Sequence, residues 1–121
     1  MASGTIPVSN LAIKTQSLVT SATVATSGTT QLTTYGGRKF SDYDVIIFKT
    51  GTNSNEWRAS QTLPSSLWKS GATVFLNSVH GASLENRSGV SISYSSDTEA
   101  NASLTGSKAF TEVQIFGLKL G

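Results

Sequence analysis

Cysteine is absent from this 121-residue chain, which excludes disulfides, thiolate catalysis and cysteine-held metals. Charge is scarce as well. Nine basic and seven acidic residues make up 13% of the sequence, where roughly 25% is usual. The net charge of +2 and pI near 9.1 come from scattered basic residues, and Arg38-Lys39 is the only adjacent pair. A nucleic-acid binder needs a basic stripe to neutralise phosphates, so that class is disfavoured. Long apolar runs are missing too: Val45-Ile-Ile-Phe48 is the longest aliphatic-aromatic stretch, far short of the roughly 20 residues that span a bilayer. The first residues lack a basic region followed by an apolar one, so no secretion signal is expected, and Met1 suits a native start or an added one equally.

What the chain has in abundance is serine and threonine, about 30% of residues. Such a composition marks either a disordered stalk or a sheet with solvated faces. Here these residues alternate with Val, Ile, Leu, Phe and Tyr at strand spacing, which favours the sheet. A chain of this length buries roughly two-thirds of its unfolded surface and folds as one domain without staples.

Several segments read as strands. Residues 6–34 carry no charge except Lys14 and hold Leu11, Ile13, Leu18, Val19, Val24 and Leu32, suggesting two or three extended pieces. This low-charge stretch, residues 1–34, can be set apart from residues 35–121 as a subunit-contact or shaft-proximal element. Tyr35-Gly-Gly-Arg-Lys-Phe40 reads as a turn, because Gly36 and Gly37 supply backbone freedom. Tyr43–Lys49 is the strongest strand, and its unbroken apolar centre predicts a central position with both faces buried. Glu56–Ala59 is its expected hairpin partner. Pro64 suits the start of a single helical turn holding Leu67 and Trp68. Ala72–Asn77 and Ser88–Tyr94 add two strands. The final Phe110–Lys119 segment alternates imperfectly, and a strand so apolar has to be buried in a sheet to avoid aggregation. The pattern is all-β, as in antiparallel sandwiches and small barrels.

Catalytic constellations are thin. Asp42 and Asp44 flank Tyr43 on one side of a strand, where two carboxylates can share a cation or divide acid and base roles, with Glu56 as a further partner. The plainer reading makes Asp42 a turn cap and Asp44 the solvated start of the strand. His80 lies in a turn-like Asn-Ser-Val-His-Gly setting, a weak metal or base candidate unless three-fold symmetry brings three copies together. No Gly-x-Ser-x-Gly elbow and no phosphate-cradling glycine loop is present. The two Asn-x-Ser matches, at Asn86 and Asn101, are about as many as chance supplies in this composition. No metal and no cofactor is expected.

Aromatic residues near predicted turns are the better lead. Tyr35, Trp57 and Trp68 lie close in sequence to Arg38, Asn53, Asn55 and Arg58. Sugar recognition pairs an aromatic face with planar amides and guanidinium groups, held on loops by a rigid sheet. Equally, Trp57 and Trp68 suit a core or a subunit interface.

Phe40-Ser-Asp-Tyr-Asp-Val-Ile-Ile-Phe48, the polar loop after it and Phe110-Thr-Glu-Val-Gln-Ile-Phe-Gly-Leu-Lys119 resemble the C-terminal domain of tailed-bacteriophage tail fibres. Phe116 stands where that family most often has tyrosine, and Leu120-Gly121 extend past the lysine. The resemblance implies a β-sandwich knob at the distal fibre end of a virion, assembled as a parallel homotrimer beside other tail proteins. Such a knob adheres to a glycan or protein of the host surface and is not an enzyme. It carries over no binding residue. Two other readings stay open: a stand-alone carbohydrate-binding module, and a virion decoration or needle tip without a receptor. A glycan hydrolase using Asp42 or Asp44 with Glu56 ranks behind them.

Overall fold

The structure is a computed structural model and describes residues 14–53, 56–79, 87–106 and 112–120. Its eight strands are β1 (Lys14–Thr23), β2 (Thr30–Thr33), β3 (Val45–Asn53), β4 (Glu56–Pro64), β5 (Thr73–Val79), β6 (Arg87–Ser96), β7 (Glu99–Gly106) and β8 (Glu112–Lys119). They form two four-stranded antiparallel sheets, ordered β1-β8-β3-β4 and β2-β7-β6-β5. The all-β sandwich expected from the sequence is therefore present.

Alternation within each strand sorts its residues to one face or the other. Leu18, Ile46, Phe48, Val113 and Ile115 of the first sheet meet Leu32, Val74, Leu76, Val90, Ile92, Ala100 and Ala102 of the second in one core. One sequence expectation changes here. The apolar centre of β3 is central in its sheet, but only Ile46 and Phe48 are buried, while Val45 and Ile47 are half-covered on the outer face. They stand in register with Leu118 and Phe116 of β8, so neighbouring side chains rather than a third layer shield them. The same arrangement explains the imperfect alternation of β8: Val113 and Ile115 point inward, Phe116 and Leu118 outward.

The low-charge N-terminal third is also accounted for. Strand β1 pairs with β8 and β2 pairs with β7, and Leu18, Val19, Val24 and Leu32 lie in the chain's own core. Among the described residues, 14–34 supply one edge strand to each sheet and are not a separate element. Their larger apolar residues are buried within this chain, while most of the uncharged polar residues between them are exposed.

Strand β7 has no counterpart in the sequence reading. Its inward residues, Ala100, Ala102 and Leu104, are mostly too small to announce a strand, yet it sits between β2 and β6.

The strand ends define two poles. At one, Phe40 N–H donates to the Asp97 carbonyl, Ser65 N–H to that of Asp44, and Tyr94 N–H to that of Ala72. This pole gathers residues 34–44, 65–72 and 97–98. The opposite pole carries the end of the β3–β4 hairpin, where Asn53 pairs with Glu56. The two are separated by the length of β3, roughly 30 Å at about 3.3 Å per residue.

Candidate functional site

On one flank of the sandwich β1 and β2, each an edge strand, border a groove of about 410 Å³. Leu18, Val19, Ala22 and Leu32 form an apolar floor, and Thr20, Gln31 and Thr33 bring polar groups to its rim. That volume falls within the roughly 300–1,000 Å³ of small-ligand sites. Gln31 donates its side-chain amide N–H to the Glu99 carboxylate, which fixes the amide on the rim.

The turn after β2 closes one end of the groove. Gly36 and Gly37 have φ of 66° and 71°, a left-handed region that side chains with a Cβ rarely adopt. This double reversal projects Tyr35 outward, 63% exposed, at the mouth. Arg38 turns back beneath it. Its Nη1 donates to the Ser17 carbonyl of β1 at 2.6 Å, and its guanidinium carbon stands 5.5 Å from the Tyr35 ring centroid. The Thr34 hydroxyl donates to the Arg38 carbonyl at 2.5 Å, locking the turn. Arg38 thereby bridges the two edge strands and backs an exposed aromatic face, a cation–π geometry.

The other predicted site residues are not gathered here. Trp68 is the clear correction: it is 3% exposed and lies in the core at the Tyr35 pole. Its ring meets Phe48 at 4.8 Å, Tyr94 at 5.6 Å and Phe40 at 5.8 Å, all edge-on. A residue so enclosed cannot stack on a ligand. The fixed turn after Pro64 aims it inward, since Ser65–Leu67 is a single 3-10 turn. Asn53, Trp57 and Arg58 belong by backbone to the far pole, near the β3–β4 hairpin end. Asn55 and His80 lie outside the described residues.

The proposed carboxylate set is likewise dispersed. Asp44 accepts the Leu120 N–H at 2.8 Å, so it ties down the C-terminal strand. Asp42 ends a short 3-10 turn, Phe40–Asp42, and is exposed. Glu56 sits at the opposite end of the hairpin, whereas paired glycosidase carboxylates are roughly 5–9.5 Å apart. Among the described residues no group of three or more His, Asp or Glu could hold a metal ion, and no helix is long and apolar enough to cross a membrane.

Comparison with protein-family models, with curated proteins and with solved structures finds no match for this chain.

Proposed function

We propose that this chain is a non-enzymatic adhesion knob, the tip domain of a phage tail fibre, which holds a host-surface glycan in the β1–β2 groove. The observation that carries the reading is Tyr35, an exposed ring backed by Arg38 at the mouth of a groove with an apolar floor and a hydroxyl-bearing rim. An aromatic face suits the C–H surface of a pyranose, while Thr20, Thr33 and the rim amide suit its hydroxyls. A peptide strand added to the same edges fits less well. Two register shifts interrupt β1, between Ser17 and Val19 and between Val19 and Ala22, and such irregularities blunt an edge.

Assembly as a homotrimer belongs to this proposal, because one weak site gains roughly 10²–10⁴ in avidity by repetition. Its support is the half-buried apolar stripe on the outer face of the first sheet, where Phe116 stands beside Ile47 and Leu118 beside Val45. The self-sufficient burial of β1 and β2 favours a second reading, a monomeric carbohydrate-binding module. Light scattering separates them: the fibre tip has three times the 12.7 kDa chain mass, the module does not.

The function is tested by binding the labelled protein to purified bacterial lipopolysaccharides and capsular polysaccharides, with Tyr35→Ala in parallel. Retention by at least one glycan, lost about tenfold or more in the variant, is expected. Equal binding by the variant removes the groove, and no binding to any glycan moves the chain to a virion structural role.

A further inference from the structure

The outward face of the second sheet is built unlike the rest of the molecule. Val74 and Leu76 of β5 are buried, so Thr73, Phe75 and Asn77 point to solvent, and Phe75 is 64% exposed. Strand register lays these residues into rows across the sheet. Phe75 stands beside Ser91 and then Ser103, whose hydroxyl lies 3.3 Å from that of Thr29. The next row runs Thr73, Ser93, Asn101, Gln31, and the row on the other side runs Asn77, Gly89, Thr105.

Gly89 is buried beneath its row neighbours. A Cβ there would meet the Asn77 side-chain oxygen and stand 2.8 Å from the Thr105 hydroxyl, so an amide and a hydroxyl converge over the sheet beside the Phe75 row. No charged side chain occurs among the described members of these three rows. A single exposed apolar residue is ordinary. A bare phenyl ring on the solvent face, set in a field of hydroxyls and amides, offers an apolar face beside hydrogen-bonding groups.

We propose that this face is a second ligand surface, a flat platform for a neutral oligosaccharide, with Phe75 as its stacking ring. The charge pattern selects the ligand. The three rows offer no charge to phosphates, anionic lipid or charged peptides, and Glu99, the next outward residue along β7, is taken up by the Gln31 amide, while rows of hydroxyls and amides match a chain of neutral sugar hydroxyls. Each hydroxyl keeps donor and acceptor capacity beyond its bond within the row; the Thr73–Ser93 contact of 3.1 Å uses one. Neighbouring strands within a row stand about 4.8 Å apart and successive rows roughly 6.6 Å apart, so one ring can meet Phe75 while the sugars beyond it reach Ser91 and Ser103 along the row and Ser93 or Asn101 in the next. The inference does not rest on the Tyr35 groove, which lies at the opposite edge of the sheet and shares only Gln31 with these rows.

The test is amide-shift titration of the ¹⁵N-labelled protein with cellohexaose, maltohexaose, mannohexaose and chitohexaose. Saturable shifts at Phe75, Ser91, Ser93 and Ser103 are expected with at least one. Phe75→Ala weakens that binding about tenfold, Phe75→Trp preserves it, and Tyr35→Ala leaves it unchanged. Since Phe75 is exposed, the alanine variant retains the wild-type spectrum away from the platform. Absence of shifts on these rows with all four sugars, or shifts that survive Phe75→Ala unaltered, overturns the proposal. Shifts confined to the β1–β2 groove overturn it as well, and leave the groove reading standing.

Discussion

The ring of Tyr43 lies directly on Gly117: a Cβ at that glycine would stand within 2.6 Å of the ring carbons Cδ1 and Cδ2. The Tyr43 hydroxyl continues across the sheet to donate to Gln16 of β1 at 2.5 Å. Next to it, Asp44 N–H donates to the Leu118 carbonyl, and the Asp44 carboxylate accepts the Leu120 N–H. The two sequence stretches that carry the resemblance, one around Tyr43-Asp44 and one around Phe116–Lys119, are thus halves of a single clasp. Their residues hold the C-terminal strand in place.

That clasp predicts a coupled pair of substitutions. Gly117→Ala forces the Tyr43 ring to move, and overpacking of this kind costs about 1–3 kcal/mol. With Tyr43→Ala already present the clash is gone, so adding Gly117→Ala costs little. Urea unfolding of the four species gives the coupling, and simple additivity would show that the ring is free to swing away.

Trp68 makes a second prediction. It is enclosed by Phe40, Phe48 and Tyr94, and its indole N–H is the one buried side-chain polar atom without a partner among the described residues. Trp68→Ala is expected to destabilise by about 3–5 kcal/mol through lost packing. Trp68→Phe removes the unsatisfied N–H, whose burial costs about 1–3 kcal/mol, and so offsets part of the volume it loses. Denaturant midpoints should fall far less for phenylalanine than for alanine. Trp68 does not line the β1–β2 groove, so, on the proposed function, any variant that stays folded is expected to keep its glycan binding.

Much of this architecture is legible in the sequence, and the exceptions have physical reasons. β-branched and aromatic runs mark β3, β6 and β8, and the paired glycines mark the turn at Tyr35. Strand β7 escapes because its buried residues include Ala100 and Ala102, and no run of β-branched or aromatic residues advertises the strand. Trp68 reads as a loop aromatic in one dimension and proves to be core, since only the tertiary fold shows which way a turn points. Phe75 was within reach: alternation with Val74 and Leu76 places it with Thr73 and Asn77, on the solvent side. The groove itself was not, because β1 and β2 come from different sheets and nothing local records that they are neighbours.

On the proposed function, Arg38 links stability to glycan binding at the groove. Its bond to the Ser17 carbonyl joins the turn to β1, and its guanidinium supports Tyr35. Arg38→Ala should lower stability by about 1 kcal/mol and weaken glycan binding, whereas Arg38→Lys keeps the charge but loses the planar fork. Lysine is therefore expected to restore part of the stability and little of the binding. Equal recovery of both in unfolding and titration experiments would mean that charge alone, and not the planar support under Tyr35, is what the groove uses.

The outer stripe of the first sheet gives the sharpest test of assembly. Ile47 is half-buried beside Phe116, and Lys49 already places its ammonium 5.7 Å from that ring. Ile47→Lys puts a second cation on the same face, where its long stem can lie along the sheet and keep its charge in water. The fold should lose about 1 kcal/mol or less, because the residue lies outside the core. A trimer packed through this stripe would have to bury three such charges together, and an unpaired buried charge costs several kcal/mol. Light scattering should then report a folded monomer, with apparent affinity for an immobilised glycan reduced by loss of avidity and affinity for a soluble oligosaccharide unchanged. A trimer that persists in the variant would mean that the subunits meet elsewhere and that Phe116, Ile47, Val45 and Leu118 only shield one another.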